Sequence, residues 1–512
     1  MRGRVRLLIA IFAVLGVLGY AVSTWAAWNI GRSLQAARYA MGAGGMEKID
    51  RDDLREVEAR LESALAISSA LPVRAASILP VADQNLNALG EVLIQLEGAV
   101  DEVDRLWAKI DRYEGVEGWW SGDAGMERLE QIASEVRSLA ERLGVLGRAS
   151  TRGRSGWTLP PLWEGLKDLS DRLRLIEDDV GSAAALARVL PDLMGASEPQ
   201  RLLVVVMNNA ETRGAGGFPS AVGEITIRKG EVNLGRFAHH ADLASILPKL
   251  ARVPAPADLK RRYGRYGADT TSFVNVTMSP DVPEVAEVLR HLYRKVTGRV
   301  VDGVFFVDLR GLQALLPEVG RLRLPGLPLR IGTDEVASFL YSDIYAQGLS
   351  EERRRDLTIE LGMEAFGRGL SGNADLGRLS EALKGGHIRI ASFDPATKEQ
   401  LQVARVTGEL GTQASHRLFV ATQNLGADKL DFWARRTIQH RCRLTSGMVT
   451  CETRVRITNV APAKLPPYVT QGRRRAEMRT FLETYLPEDA EISNVSLDGQ
   501  GVAHSREYED GL

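Results

Sequence analysis

From Leu7 to Ile30 the chain is apolar almost without a break, interrupted by Ser23, Thr24 and Asn29 and by no charge. A hydrocarbon core about 30 Å thick takes roughly 20 residues at helical rise, so this run predicts a single N-terminal transmembrane helix at 7–30. Beyond it the period changes. From about Asp50 to Leu146 apolar residues recur at helical intervals, as at Leu54, Val57, Leu61 and Leu65, among many acids and arginines. Leu71-Pro72, Leu79-Pro80, the Gly115 to Gly125 stretch and Gly153 to Pro161 break the pattern, and a further helix runs from about Leu162 to Leu190. An α-helical bundle over 31–195, serving as a membrane-proximal spacer, is the expectation.

At Arg201 the pattern changes again. Leu202 to Met207 is a continuous apolar run of the kind that forms a strand buried on both faces. Ala221 to Arg228 is a second strand, turning at Lys229-Gly230 into Val232 to Phe237; Val282 to Lys295 is helical, Gly303 to Val307 a strand, and Leu309 to Leu316 helical. This alternation predicts an α/β (α+β) sheet domain over 196–403. From 404 to 512, strands at Leu418 to Thr422, Asp431 to His440, Arg454 to Asn459 and Glu477 to Tyr485, with turns at Leu425-Gly426 and Leu465-Pro466-Pro467, predict a C-terminal β-sandwich. The chain is thus expected to be multi-domain. Tyr508 to Leu512 close no element, so whether the natural chain extends further stays open.

Charge orients the expected span. Arg2, Arg4 and Arg6 crowd the leading segment, 1–6, and cationic flanks stay cytoplasmic, which places the bulk of the chain outside the cytoplasm, with Trp25 and Trp28 in an aromatic belt. A cleaved signal peptide is the competing reading, since Thr24-Trp25-Ala26 offers small residues; the run nevertheless exceeds the usual ~7–15 residues of a signal's apolar core. The two cysteines bear on the compartment. If Ser446-Gly447 makes a two-residue turn, Thr445 faces Met448, Leu444 faces Val449, Arg443 faces Thr450 and Cys442 faces Cys451. That non-hydrogen-bonded pairing brings the Cα atoms to about 4.5 Å, within disulfide range, and a disulfide implies an oxidising, extracytoplasmic location.

With 512 residues, 44% apolar content and a formal charge of −1, the chain is no disordered tail and offers no general argument for nucleic-acid binding. Seven histidines are scattered, His239-His240 lacks further ligands at metal spacing, and no nucleophile elbow, P-loop or zinc signature occurs, so no metal site is expected. The most unusual segment is the loop after the first buried strand, Asn208-Asn209-Ala210-Glu211-Thr212-Arg213-Gly214-Ala215-Gly216-Gly217. Its glycines would let backbone amides approach a ligand, and Arg213 could grip phosphate or carboxylate; the alternative is a tight structural turn in which Asn208 and Asn209 satisfy backbone groups. Lys260 to Gly267 is a basic, aromatic loop that could steer an anion, or a solvated surface. Arg353-Arg354-Arg355 is an anion clamp, or an exposed face paired with Glu351 and Glu352. Asp281, Asp302, Asp308 and Asp343 stand at element boundaries, where an aspartate caps a helix or holds Mg²⁺; Asp281 before Val282-Pro283-Glu284 reads as a cap.

Asn208-Asn209-Ala210-Glu211, Arg213 and Gly216-Gly217-Phe218, with Asn275, Ser279-Pro280-Asp281, Val301-Asp302-Gly303-Val304 and Asp308, resemble the uncharacterised membrane-anchored proteins of high-GC Gram-positive bacteria that carry a domain of unknown function. Asn424-x-Gly426-x-x-Lys429-Leu430-Asp431 and Leu465-Pro466-Pro467-Tyr468-Val469 fit the same group. A weaker similarity, through Val301 to Leu312 and Leu315 to Gly320, reaches the LytR-CpsA-Psr enzymes, which transfer glycopolymer from polyprenyl pyrophosphate to the cell wall. That resemblance implies Asp308 and the Arg353 to Asp356 cluster near a pyrophosphate, with Mg²⁺ as cofactor if the chain is a phosphotransferase. Asp343-Ile344-Tyr345-Ala346-Gln347 departs from it, with glutamine where arginine is common.

The leading expectation is a membrane-anchored cell-envelope protein that recognises an anionic glycan or a lipid-linked precursor such as polyprenyl pyrophosphate. The alternatives are a LytR-CpsA-Psr-like phosphotransferase and a non-catalytic scaffold. An enzyme requires Arg213, Asp308 and one arginine of Arg353 to Arg355 to converge on a pocket with apolar room for a prenyl chain.

Overall fold

The computed structural model describes residues 51–506 apart from 71–79, 114–115, 117, 155–157, 241, 243–251, 270–272, 317–320, 324–329, 370–374, 411–417, 446–447, 474–475 and 488. The expected tail at 1–6 and span at 7–30 lie outside the described residues, as do the side chains of Leu54 and Val57 and the turn at 446–447. Among the described residues no helix is long and apolar enough to cross a membrane. The chain divides into two compact units, one of residues up to 114 with 127–191, the other of 115–126 with 192–512.

The first unit is built on the helices Arg51–Ser69, Pro80–Tyr113, Gly122–Arg152 and Pro160–Leu193. Proline opens two of them, where its missing N–H costs nothing and its fixed φ favours the first turn. Leu89, Val92, Leu93, Leu96 and Val100 form one stripe at three- and four-residue spacing, and they bury against Leu61, Leu146 and Leu166. Glu102, 8% exposed, is paired by Arg142 at 2.8 Å.

The second unit centres on a five-stranded sheet. Its strands are β1 (Gln200–Asn208), β2 (Phe218–Arg228), β3 (Glu231–His239), β4 (Gly303–Asp308) and, later in the chain, β7 (Ile388–Ser392), in the order β3-β2-β1-β4-β7. β1 runs parallel to β4, whereas its pairing with β2, and those of β2 with β3 and β4 with β7, are antiparallel. Period two divides β1 between two cores. Leu202, Val204 and Val206 join a cluster with Leu309, Leu340, Leu357 and Phe366, while Leu203, Val205 and Met207 join Leu259, Val285 and Leu289. Burial on both faces explains why this strand is a solid apolar run rather than an alternating one. β5 (Arg321–Arg323) and β6 (Arg330–Gly332) make a separate short ribbon.

Among the described residues the strands beyond Ala404 pair two by two. β8 (Phe419–Asn424) pairs with β11 (Thr480–Tyr485), β9 (Ala434–Thr445) with β10 (Met448–Asn459), and β12 (Ser496–Leu497) with β13 (Gln500–Gly501). Leu444, on the apolar face of β9, is 73% exposed and Val449 opposite it 44%, so among the described residues no second layer covers this end of the ribbon. The cysteine register is found as derived from the turn, with Cys442 opposite Cys451, Leu444 opposite Val449 and Thr445 opposite Met448. The two cysteines form a disulfide.

Candidate functional site

The parallel strands β1 and β4 end side by side at Asn208 and Asp308, and the loop of residues 209–217 leaves from that edge. In an open sheet this carboxyl edge is where ligands gather. The loop is shaped by local chemistry. Asn208 Oδ1 accepts from Ala210 N at 3.0 Å, turning the chain out of the strand, and Phe218 N donates to Glu211 O at 3.0 Å to close it. A Cβ on Gly214 would meet Met278 O at 2.2 Å, and one on Gly217 would meet the Asn208 carbonyl at 2.8 Å. Gly216 has φ +114°, which side chains disfavour. The glycines therefore let the loop press against neighbouring backbone. They do not present an open amide cradle: Gly214 N donates to Gln423 Oε1 at 3.3 Å and Gly216 N to Arg213 O at 2.9 Å.

Arg213 is likewise engaged from within. Its Nη1 donates to Asn424 O at 2.7 Å, and its guanidinium lies 5.9 Å from the Phe218 ring centroid. Burial pulls its pKa down, opposed by Glu211 and Asp431. Next to it, Thr212 N and Oγ1 both donate to Asp431 Oδ2 at 2.8 Å, and Asn424 N donates to Thr212 O at 2.9 Å. Asn424 Nδ2 also donates to Asp431 at 2.8 Å, and Leu430 N to Asp428 Oδ1 at 3.0 Å. The segments Asn208 to Gly217 and Asn424 to Asp431 are thus interlocked, though about two hundred residues of chain separate them.

Lys429 completes the lock. Its ammonium, 7% exposed as a residue, is ion-paired with Glu211. Burial alone would lower its pKa, but Glu211 and the rings of Tyr345 and Tyr468 more than offset that and hold it above the ordinary range. Tyr345 and Tyr468 stack at 5.0 Å with planes 21° apart, Lys429 Nζ lies 5.8 and 5.5 Å from their centroids, and the Arg354 guanidinium lies 5.6 and 5.0 Å from them. Burial pushes the Tyr345 hydroxyl up to about 12 despite Lys429. Tyr468 remains 41% exposed. Of the three consecutive arginines only Arg354 joins this group; Arg353 pairs with Glu360 at 3.0 Å and Arg355 with Glu351. A helix turns each successive residue by about a hundred degrees, so three adjacent arginines cannot share one face. The expected three-arginine clamp is therefore one arginine on a tyrosine shelf.

Asp308 holds a second group. It caps the helix Leu309–Ala314, accepting from Arg310 N and Gly311 N at 2.9 Å each, and it also accepts from Asn209 Nδ2 at 3.0 Å. His387 Nδ1 lies 2.7 Å from Asp308 Oδ2. Asn209 Oδ1 and the Tyr341 hydroxyl are buried nearby without a hydrogen-bond partner among the described residues. Burial and then Asp308 push the Tyr341 pKa well up.

The other boundary acids are structural. Asp281 accepts from Glu284 N at 3.0 Å as an N-cap, and Asp302 accepts from Arg201 N at 2.8 Å. Asp343 opens a short 3-10 turn. The basic segment at 260–267 is helix and turn rather than a loop. Arg262 pairs with Glu483 at 3.0 Å, and Tyr263 donates to Glu483 at 3.2 Å. Arg389, not singled out from sequence, reaches Ala215 O, and Gly216, Gly386 and Gly408 leave room for its side chain. It lines a cavity of about 170 Å³ with Pro280, Leu410, Leu418, Phe419 and Tyr485. Arg213, Asp308 and Arg354 are not among that cavity's lining residues.

His387 and Arg389 carried no recognised sequence motif; the Gly385-Gly386 pair before a strand was the available signal. Tyr468, Glu211 and Lys429 each sit in segments quoted for the family resemblance, and Tyr345 in the segment that departs from the weaker similarity, but nothing in one segment points to another.

Residues 197–345, from just before β1 to Tyr345, match the model of a family described as a protein of unknown function (DUF4012). No curated protein and no solved structure matches the chain.

Proposed function

We propose that this chain is a membrane-tethered, extracytoplasmic cell-envelope protein of the high-GC Gram-positive type, whose second unit binds an anionic envelope glycan or lipid-linked precursor without transforming it. The observation that carries this reading is the half-exposed Tyr468, stacked on Tyr345 and flanked by Arg354. A flat aromatic face offers apolar contact to the C–H face of a sugar ring, and a neighbouring guanidinium offers a planar fork to phosphate or carboxylate. The tether rests on the apolar run at 7–30 with its arginine flank, and the disulfide between Cys442 and Cys451 suits an oxidising compartment.

Titration calorimetry on the full chain in nanodiscs, with polyprenyl pyrophosphate and with a phosphate-bearing wall polysaccharide, with and without Mg²⁺, tests the reading. Tyr468→Ala and Arg354→Gln are each expected to weaken binding about ten-fold, a hot-spot-sized loss. Wild-type affinity retained in both variants, or no binding by the wild type, would remove it.

The phosphotransferase reading is supported by one geometric feature, the 2.7 Å contact of His387 with Asp308 at the carboxyl edge of parallel strands. It is the weaker reading because Asp308 already holds two backbone amides, Asn209 and His387, which leaves little of its carboxylate for Mg²⁺. Transfer of labelled glycopolymer by the wild type and its loss in Asp308→Asn would reverse that ranking.

A further inference from the structure

β9 and β10 form a long two-stranded ribbon, and its two faces differ in kind. Alternation places Ile438, His440, Cys442 and Leu444 on one face of β9, opposite Val455, Thr453, Cys451 and Val449 of β10. The other face carries Arg435, Arg441 and Arg443 from β9 and Arg454 and Arg456 from β10, with Glu452 as its one acid. Every residue of that basic face from Arg435 to Thr445 and from Met448 to Thr458 is exposed. The charge is left uncompensated: Glu452, opposite Arg441 in the register, pairs with Arg454 at 2.9 Å, and four arginines remain against no further acid on the face. At the last described pairs of the ribbon, apolar side chains stand in solvent: Leu444 is 73% exposed, Met448 67% and Val449 44%.

We propose that the outer end of this ribbon docks on an anionic lipid bilayer. Leu444, Met448 and Val449 would enter the boundary between headgroups and acyl chains, the depth that interfacial amphipathic segments occupy. At about 3.3 Å per residue, Arg443 and Arg441 follow within about 10 Å of Leu444 along the strand, at headgroup depth. Their charge is complementary to phosphate, and a guanidinium takes phosphate in two parallel hydrogen bonds. A solvated basic face alone would need no apolar end, and an apolar protein partner would not call for four uncompensated arginines. The disulfide between Cys442 and Cys451 fixes the register two pairs from Leu444 and Val449, so these side chains enter as a preformed set. This site lies on different residues from the tyrosine shelf and does not depend on the anchor at 7–30.

The test is co-flotation. The full chain, held in phosphatidylcholine nanodiscs so that residues 7–30 are already occupied, is mixed with liposomes either of phosphatidylcholine alone or containing phosphatidylglycerol. The proposal expects flotation with the phosphatidylglycerol liposomes only. Arg441→Gln and Arg443→Gln should each weaken association about five-fold, the increment for one cation at an anionic surface. Leu444→Ser with Val449→Ser should weaken it at least as much as one arginine change, while both sets keep the wild-type melting temperature. Equal flotation on both liposomes, or flotation indifferent to both sets, would overturn the proposal. Binding of a soluble polyanion such as inorganic polyphosphate without liposome binding would also overturn it and reassign the basic face.

Discussion

Arginine and lysine serve opposite ends in two regions of the second unit. In the interlock of Asn208 to Gly217 with Asn424 to Asp431, each cation is held against a specific acceptor, the buried Lys429 on Glu211 and the half-buried Arg213 on the Asn424 carbonyl, and beside it the half-buried Arg473 pairs with Asp428. On the basic face of the β9–β10 ribbon the arginines stand in water with one acid among five. A buried charge is tolerated only with its partner in place, because desolvation costs several kcal/mol per ion. An exposed one contributes almost nothing to folding and is free to meet something else. Cationic residues in the loop therefore do not by themselves indicate an anion site; what matters is whether the fold has already used them.

The sharpest way to break this contrast is to remove one partner of the buried pair. Lys429→Met should leave Glu211 buried and unpaired, at a cost of about 3–5 kcal/mol in urea unfolding. Arg213→Ala should cost about 1–3 kcal/mol, since it leaves the Asn424 carbonyl unsatisfied and uncovers Phe218. Asp308→Ala should cost about 1–2 kcal/mol through the lost helix cap, with Asn209 and His387 also left without their partner. On the ribbon, Arg443→Gln or Arg456→Gln should shift stability by no more than about 0.5 kcal/mol. A ribbon substitution as costly as Arg213→Ala would erase the distinction.

Acidification sharpens the same contrast. His239, buried beside His240, Arg355 and Lys429, has its pKa lowered to about 3, and burial lowers that of His240 as well. His239 stays neutral in the fold where the unfolded chain takes up protons, and His240 leans the same way. The unfolded state then binds more protons between its own histidine range near 6.5 and about 3, so stability falls as pH falls through that window. His239→Gln should flatten the melting-temperature profile over that interval.

Some of this was legible in the sequence for identifiable reasons. The disulfide register followed from a two-residue turn and period two, both local. β1 announced itself because burial on both faces demands Leu202-Leu203-Val204-Val205-Val206 without a polar interruption. The ribbon is the complementary case: Ile438, Leu444, Val449, Val455 and Ile457 alternate as a half-buried strand does, yet among the described residues Ile438, Leu444 and Val449 stand exposed. In the candidate site, the loop and Asp308 could be picked out, but their partners could not. Glu211 and Lys429 are 218 residues apart, and no local pattern says that one finds the other. Arg353, Arg354 and Arg355 are indistinguishable in sequence, and only the helix's rotation selects Arg354 for the tyrosines.

A double-mutant cycle on Glu211→Gln and Lys429→Met measures the interlock itself. The pair is expected to show a coupling energy of about 2–3 kcal/mol, with the double variant more stable than Lys429→Met alone. Effects that add to within about 0.5 kcal/mol would mean that the two charges do not depend on each other, and the account of a loop whose cations are spent on the fold would be contradicted.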